Sequence, residues 1–170
     1  LSKHKKNQTF YKLMELLFNE IFDFGYIQTD PNYSNFLYDH KKNKIILLDF
    51  GASQKISPKV CNKFKNLLIG TWNNDHKKIK KSLFDLGILH DTFPKKIETI
   101  FLDLFYEVTY PIREKKVYNF DRTDIIKKIK YNLQEFIKFR NKLQIPSSDI
   151  LFVQRKIGGL FFLGKLLKVE

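Results

Sequence analysis

One stretch of this chain has strand-like sequence. Two short apolar runs, Phe36-Leu37-Tyr38 and Ile45-Ile46-Leu47-Leu48, are held apart by the polar residues Asp39 to Lys44. Runs this short around a polar break predict a small antiparallel hairpin with a longer turn. On either side, apolar residues recur at spacings of three and four, the period of a helix. The expected fold class is therefore mainly α with a small β-hairpin, the hairpin lying between the first helix and the rest.

The first helix is expected from about Asn7 to Phe24, with Phe10, Leu13, Met14, Leu17, Ile21 and Phe24 on one buried stripe and Gly25 as its C-terminal cap. Residues 26–35 are expected to be non-helical. From Pro58 onward the pattern is helical, with segments near 58–71, 75–87 and 94–108. A stronger segment runs from Asp121 to Leu143, where Ile125, Ile126, Ile129, Leu133, Phe136, Ile137 and Leu143 mark one face. Ser147 or Ser148 can cap a last helix in which Ile150, Val153, Ile157, Leu160 and Gly164 share a side. With 170 residues and no linker or repeat, the chain is expected to form a single domain over 1–170.

Three polar residues interrupt the region around the hairpin. Asp30 and Asn35 stand in the loop Gln28-Thr29-Asp30-Pro31-Asn32-Tyr33-Ser34-Asn35, and Asp49 directly follows the second apolar run in Asp49-Phe50-Gly51. A chain that goes out along one strand and back along the next returns to its starting point, so Asp49 is expected to face Asn35 across the hairpin base. Two carboxylates and an amide oxygen in one place are hard ligands that suit Mg²⁺, which takes phosphate oxygens as further ligands. This is the arrangement kinases use, with a catalytic-loop Asp, a metal-binding Asn and the Asp of a D-F-G segment.

The segments Gln-Thr-Asp-Pro-Asn-Tyr-Ser-Asn-Phe (28–36) and Leu-Leu-Asp-Phe-Gly-Ala (47–52) resemble the UbiB/ADCK atypical kinase-like family, in particular its mitochondrial members that support coenzyme Q biosynthesis. Phe22-Asp23-Phe24-Gly25-Tyr26 and Arg155-Lys156-Ile157-Gly158-Gly159 are similar to that branch as well. The resemblance implies the C-terminal lobe of a protein-kinase-like fold, with a catalytic loop at 26–35, a DFG-like segment at 49–51 and a helical remainder at 58–168. It implies ATP and Mg²⁺ as cofactors, Asp30 as the catalytic aspartate, and Asn35 and Asp49 as the magnesium- and nucleotide-binding residues. It also implies a peripheral place at the matrix side of the mitochondrial inner membrane, among coenzyme Q biosynthesis proteins.

Two departures from a protein kinase shape the expectation. Thr29 stands where many protein kinases carry an arginine, and only Ala52 to Ser57 separate the DFG-like glycine from Pro58, so no segment is long enough to display a peptide. A small-molecule kinase or an ATPase is therefore favoured. The phosphate-covering loop, strand lysine and glutamate partner of a kinase precede the catalytic loop, yet the 29 residues before Asp30 have the pattern of one helix. The family's Lys-x-Gly-Gln segment is missing too. With Leu1 rather than Met at its start, the chain is expected to be a C-lobe lacking its N-lobe and inactive by itself, with no targeting segment.

Composition bounds the alternatives. Hydrophobic residues at 43% and aromatics at 15% exclude a disordered tail. Cys61 is the sole cysteine, which excludes an intrachain disulfide, and the four histidines show no metal-ligand spacing, so zinc is not expected. The net charge of +13 comes from 27 lysines and only 4 arginines, a skew that fits an AT-rich gene with solvated lysines. Its functional alternative is an anionic-lipid surface; the last helix sets Arg155, Lys156, Lys165 and Lys168 beside Phe161, Phe162, Leu166 and Leu167, an apolar side expected to serve core packing ahead of membrane contact. The alternative functions are a non-catalytic nucleotide-sensing or scaffold module and, with no recognition motif to support it, a basic nucleic-acid-binding domain. No nucleic-acid partner is expected.

Overall fold

The computed structural model describes residues 1–30, 32–39, 41–121, 124–139, 141 and 144–170, and gives the backbone alone for 125, 126 and 133–136. Pro31, His40 and Leu143, and the side chains of Ile125, Ile126, Leu133 and Phe136, lie outside the described residues. The sequence predicts one domain; the described chain divides into two compact units. The first is Leu1–Cys61 with Asn119–Asp121 and Ser148–Glu170, and the second is Asn62–Tyr118 with Arg122–Ser147.

The first unit begins with helix α1 (Lys3–Asn19), capped by the Ser2 hydroxyl, which accepts from the Lys5 N–H. Phe10, Leu13 and Leu17 of α1 are buried as their spacing predicts, and Ile21 continues the stripe. The last turn, Glu20–Phe24, widens into a π-helix and stops at Gly25, whose φ of 64° is the left-handed conformation that glycine adopts without cost. The wider turn carries the following side chains round by about one position. Phe24, expected on the buried stripe, is exposed, and Glu20 is buried instead.

Two antiparallel ladders follow, one inside the other. The inner is the predicted hairpin, β2 (Phe36–Asp39) with β3 (Lys44–Leu47), in the register Phe36↔Leu47, Leu37↔Ile46, Tyr38↔Ile45 and Asp39↔Lys44. Its turn is held by the Asp39 carboxylate, which accepts from the Lys41 and Lys42 N–H groups, and by Asn43 at a φ of 50°. The outer ladder was not expected. β1 (Tyr26–Gln28) pairs with β4 (Ser53–Lys55) in the register Tyr26↔Lys55, Ile27↔Gln54 and Gln28↔Ser53. Main-chain bonds extend it at both ends, from Ile56 to the Gly25 carbonyl and from Thr29 to the Ala52 carbonyl.

Helix α6 (Ser148–Leu167) completes this unit and packs on α1, β1 and β4. Its inner face carries Ile150, Val153, Lys156, Leu160 and Leu163. Ile150, Val153 and Leu160 match the expected apolar side, while the buried position between them is Lys156 rather than Ile157. Removing each large apolar side chain of this core from water contributes about 1.5–3 kcal/mol. Phe120 lies edge-on to Phe10 at 4.8 Å and to Phe161 at 5.3 Å, directly over Gly164.

The second unit is helical. Helices α2 (Pro58–Trp72), α3 (His76–Asp85), α4 (Lys95–Glu114) and α5 (Ile125–Lys138) match the predicted segments, with α4 longer and α5 shorter than expected. The Asp75 carboxylate caps α3 by accepting from the Lys78 N–H. Helix α4 passes through Pro111 and ends at Lys115, at a φ of 52°. Phe64, Leu67, Ile79, Leu83, Leu86, Leu89, Phe93 and Ile97 are buried in this unit. Among the described residues, no helix is long and apolar enough to cross a membrane.

Gly158 and Gly164 of α6 differ sharply. A Cβ on Gly164 would lie 2.7 Å from a Phe120 ring carbon and 3.0 Å from Phe10 Cζ, whereas one on Gly158 would meet nothing within 4 Å. Gly164→Ala should therefore lower the thermal midpoint through overpacking, at a cost of about 1–3 kcal/mol. Gly158→Ala should hold or raise it, because alanine is the better helix former. Calorimetric melting of the two variants checks the contrast.

Candidate functional site

The nesting of the ladders determines where the candidate residues sit. Outside the inner hairpin and inside the outer ladder remain two short segments, one on each side, running from Asp30 to Asn35 and from Leu48 to Gly51. Both must turn from one ladder into the other over a few residues, and Asp30, Asn35 and Asp49 all lie in them. The Leu48 N–H donates to the Asn35 carbonyl at 3.0 Å, which continues the hairpin register past Phe36↔Leu47 and leaves Asp49 one step beyond Asn35's partner.

On the first side the backbone is organised by side chains. Asp30 Oδ1 accepts from the Asn32 N–H at 3.1 Å, and Asn32 Oδ1 accepts from the Ser34 N–H at 3.1 Å. These are the turn bonds for which Asp and Asn are suited, and they lead into the 3-10 turn Tyr33–Asn35. Asp30 Oδ2 accepts from Asn35 Nδ2 at 2.7 Å. An ionised carboxylate can only accept, so Asn35 must present its amide nitrogen to Asp30 and keep its carbonyl oxygen as the remaining donor atom for a cation. The structure thus joins Asp30 and Asn35 directly.

On the second side, Asp49 Oδ1 accepts from the Gly51 N–H at 2.6 Å, closing a tight turn within Asp49-Phe50-Gly51. The Asp49 main-chain carbonyl accepts from Gln28 Nε2 at 3.4 Å. Asp49 and Phe50 are exposed and Asp30 and Asn35 half-buried, so the site lies at the surface of the unit. Among the described residues, no three His, Cys, Asp or Glu side chains form a group that could hold a metal ion. The candidate set is a different one, two carboxylates and an amide.

Four residues outside the candidate set of Asp30, Asn35 and Asp49 support it. Buried Thr29 ties the two segments together, its N–H and its hydroxyl both donating to the Ala52 carbonyl, at 3.1 and 2.8 Å. Gln28, Glu20 and Lys156 form a buried chain beside it. Lys156 Nζ donates to Glu20 Oε1 at 3.2 Å and lies 3.1 Å from Oε2, while the Gln28 N–H donates to the same Oε1 at 3.3 Å. Lys156 Nζ also lies 5.4 Å from the centre of the Phe36 ring, within cation–π range. One signal for Lys156 was present in the sequence: it falls three residues after Val153 and four before Leu160, on the apolar stripe.

Burial raises the Glu20 carboxyl above its ordinary value of 4.5, and the Lys156 charge and the Gln28 N–H pull it part of the way back. In the unfolded chain Glu20 ionises near that ordinary value. Its contribution to stability is therefore complete below 4.5 and diminishes as pH rises through the higher folded value.

These are the two segments in which the sequence resembles a kinase-like catalytic loop and a DFG-like turn. Residues 2–83 match the family model described as the ABC1 atypical kinase-like domain. Over these residues the chain is similar to that family. The resemblance found at residues 28–36 and 47–52 is borne out, and so is the assignment to a kinase-like lobe. Similarity to individual proteins extends further along the chain. "Atypical kinase COQ8, mitochondrial" of Schizosaccharomyces pombe is 30% identical over 95% of this chain and 27% of that protein. The protein of the same name from Saccharomyces cerevisiae is 30% identical over 95% of this chain and 32% of its own length. "Atypical kinase COQ8B, mitochondrial" of Rattus norvegicus is 27% identical over 95% of this chain and 30% of its own. The chain thus spans roughly a third or less of the length of these relatives.

Thr29 offers a clean test of the clamp. Thr29→Val keeps the shape and the main-chain bond but deletes the buried hydroxyl, so it should lower unfolding free energy by about 1 kcal/mol. Urea denaturation measures the loss, and an unchanged midpoint would count against the clamp.

Proposed function

We propose that Asp30, Asn35 and Asp49 form the Mg²⁺ and phosphate side of an ATP site, and that the protein is an atypical kinase or ATPase acting in support of coenzyme Q biosynthesis. The observation that carries this reading is the 2.7 Å bond between Asn35 and Asp30, joined through the Leu48–Asn35 main-chain bond to the segment of Asp49. The similarity to proteins named as atypical kinases supports it.

The donor set suits the implied metal. Asn35 Oδ1 and the Asp49 carboxylate are oxygen ligands of the hard type that Mg²⁺ takes, and the surface position leaves room for water and phosphate oxygens. Bound there, Mg²⁺ would neutralise charge on the phosphate oxygens. Asn35 and Asp49 would hold it, and Asp30, fixed by Asn32 and Asn35, would orient or accept the proton of the attacking hydroxyl or water. The short connection between Gly51 and α2, largely taken up by β4, favours a small-molecule acceptor or simple hydrolysis over a peptide.

In the full-length protein, Asp49→Asn should remove Mg²⁺-dependent ATP turnover by about two orders of magnitude or more, with the fold intact by circular dichroism. Asp30→Asn should keep nucleotide binding and lose turnover by about 10²–10⁴-fold. Undiminished ATPase activity in the Asp49 variant would overturn the assignment. A second reading, a non-catalytic nucleotide-sensing or scaffold module, is favoured by the exposed cross-strand pair Leu37 and Ile46 beside the site. Nucleotide binding by the full-length parent with no turnover under any condition would decide for it.

The reading also places the protein in mitochondria, peripheral to the matrix face of the inner membrane. The outer side of α6 supports this, since Leu151, Arg155, Phe162 and Leu166 are exposed along one stripe. Vesicles containing anionic lipid should bind the protein better than neutral ones, each nearby basic residue contributing about 1 kcal/mol, and added salt should weaken the binding. Co-sedimentation checks this, and equal binding to both vesicle types would count against it.

A further inference from the structure

Helix α6 lies beyond residues 2–83 that match the family model, yet its Lys156 is paired with Glu20 and lies against Phe36, close behind the candidate site. Lys156 is 4% exposed and Glu20 is 6% exposed at their side chains, so the pair is withdrawn from water. Two connections leave it, and one of them runs on to a third. Glu20 Oε1 accepts from the Gln28 N–H, two residues before Asp30 in the chain. The Gln28 side chain carries the connection on to the Asp49 carbonyl. Lys156 Nζ lies against the face of Phe36, the residue after Asn35.

A buried ion pair is a poor device for stability alone, because the cost of desolvating both charges offsets most of their attraction. Apolar residues of similar size in the same place often leave a fold as stable or more so. What such residues cannot supply is an acceptor aimed at the Gln28 N–H and a cation over the Phe36 ring. The pair also links the start of the π-helical turn to the end of β1.

We infer that Lys156 and Glu20 are positioning residues that hold the Asp30, Asn35 and Asp49 segments in register with one another from the interior of the unit. The inference rests on the proposed Mg²⁺–nucleotide reading for its functional consequence, whereas its structural part stands apart from that reading. Lys156 touches neither metal nor nucleotide. It acts through Glu20, Gln28 and Phe36.

The test replaces the pair by apolar residues in the full-length protein, Glu20→Leu with Lys156→Met, and reads amide hydrogen exchange. The amides of Gln28, Asn32, Asn35 and Gly51 should exchange roughly tenfold faster, the equivalent of one charge-assisted hydrogen bond. The amides of Leu17 and Val153, in the cores of α1 and α6, should keep their parental rates, and the melting temperature should not fall. The Mg²⁺ concentration needed for half-maximal ATP binding should rise by a similar factor. If the double variant does not fold, Lys156→Met alone serves, since Glu20 can then stay buried as the neutral acid. It should show the same pattern with about a threefold rise, as expected for a neutral bond. Parental exchange at Gln28, Asn32, Asn35 and Gly51 in a folded variant would overturn the inference, as would loss of protection spread evenly over α1 and α6. A parent that binds no Mg²⁺–ATP would sink the functional reading while leaving the exchange result to decide the positioning role.

Discussion

Between Gly25 and Ile56 the chain is a closed circuit, because the Ile56 N–H donates to the Gly25 carbonyl at 2.8 Å. A hairpin inside that circuit has its ends delivered to one place whatever its own sequence. The two ladders are both antiparallel and both short, and neither has the area to stand alone in water. They survive because Ile27 and Ile56 are buried, because α6 packs on both β1 and β4, and because the second ladder starts where the first stops. The candidate site is the junction. It consists of residues that belong to neither ladder and whose polar side chains replace the main-chain bonds that a ladder would have made.

The pair Glu20–Lys156 and the clamp at Thr29 act on that junction from different sides. Thr29 binds the two segments across the gap through the Ala52 carbonyl, whereas Lys156 and Glu20 reach them from the core. Between them, Gln28 is bonded at both its main chain and its side chain, to Glu20 and to the Asp49 carbonyl. The exposed surface of the site is therefore backed by bonds that water does not reach. Asp49 itself is exposed, and the turn it closes on Gly51 keeps its carboxylate from roaming. A site open on one side and anchored on the other needs this division between accessible side chains and inaccessible supports.

Much of this was legible in the sequence, and what was not has identifiable causes. The hairpin could be found because apolar residues alternate with a polar break, and its return path brings the segment of Asp49 back beside Asn35. The outer ladder was invisible because β4 is Ser53-Gln54-Lys55, three polar residues with no period, and β1 is equally short. Such strands form from their surroundings rather than from propensity. Phe24 was misplaced because spacing rules assume a regular α-turn and the chain uses a π-turn there. Lys156 was counted among 27 lysines, nearly all of which suit a solvated surface, and its place on the apolar stripe of α6 was outweighed by its charge. Family likeness at residues 28–36 and 47–52 pointed to the candidate site, whereas the support behind it emerges only in the folded chain.

The nesting of the two ladders has a consequence for the order in which the chain folds. Closing the outer ladder from an unstructured chain means joining ends about thirty residues apart, whereas a formed inner hairpin shortens the free path to about ten, a saving of roughly 1 kcal/mol in closure entropy. The cheap route is therefore inside out, with the hairpin first, then β1 against β4, then α6 over both. Because the polar junction belongs to neither ladder, it can settle only after both exist. On this route the candidate site is the last part of its unit to take shape and the first to loosen when the unit begins to open, so its integrity reports on the whole unit rather than on the few residues that compose it.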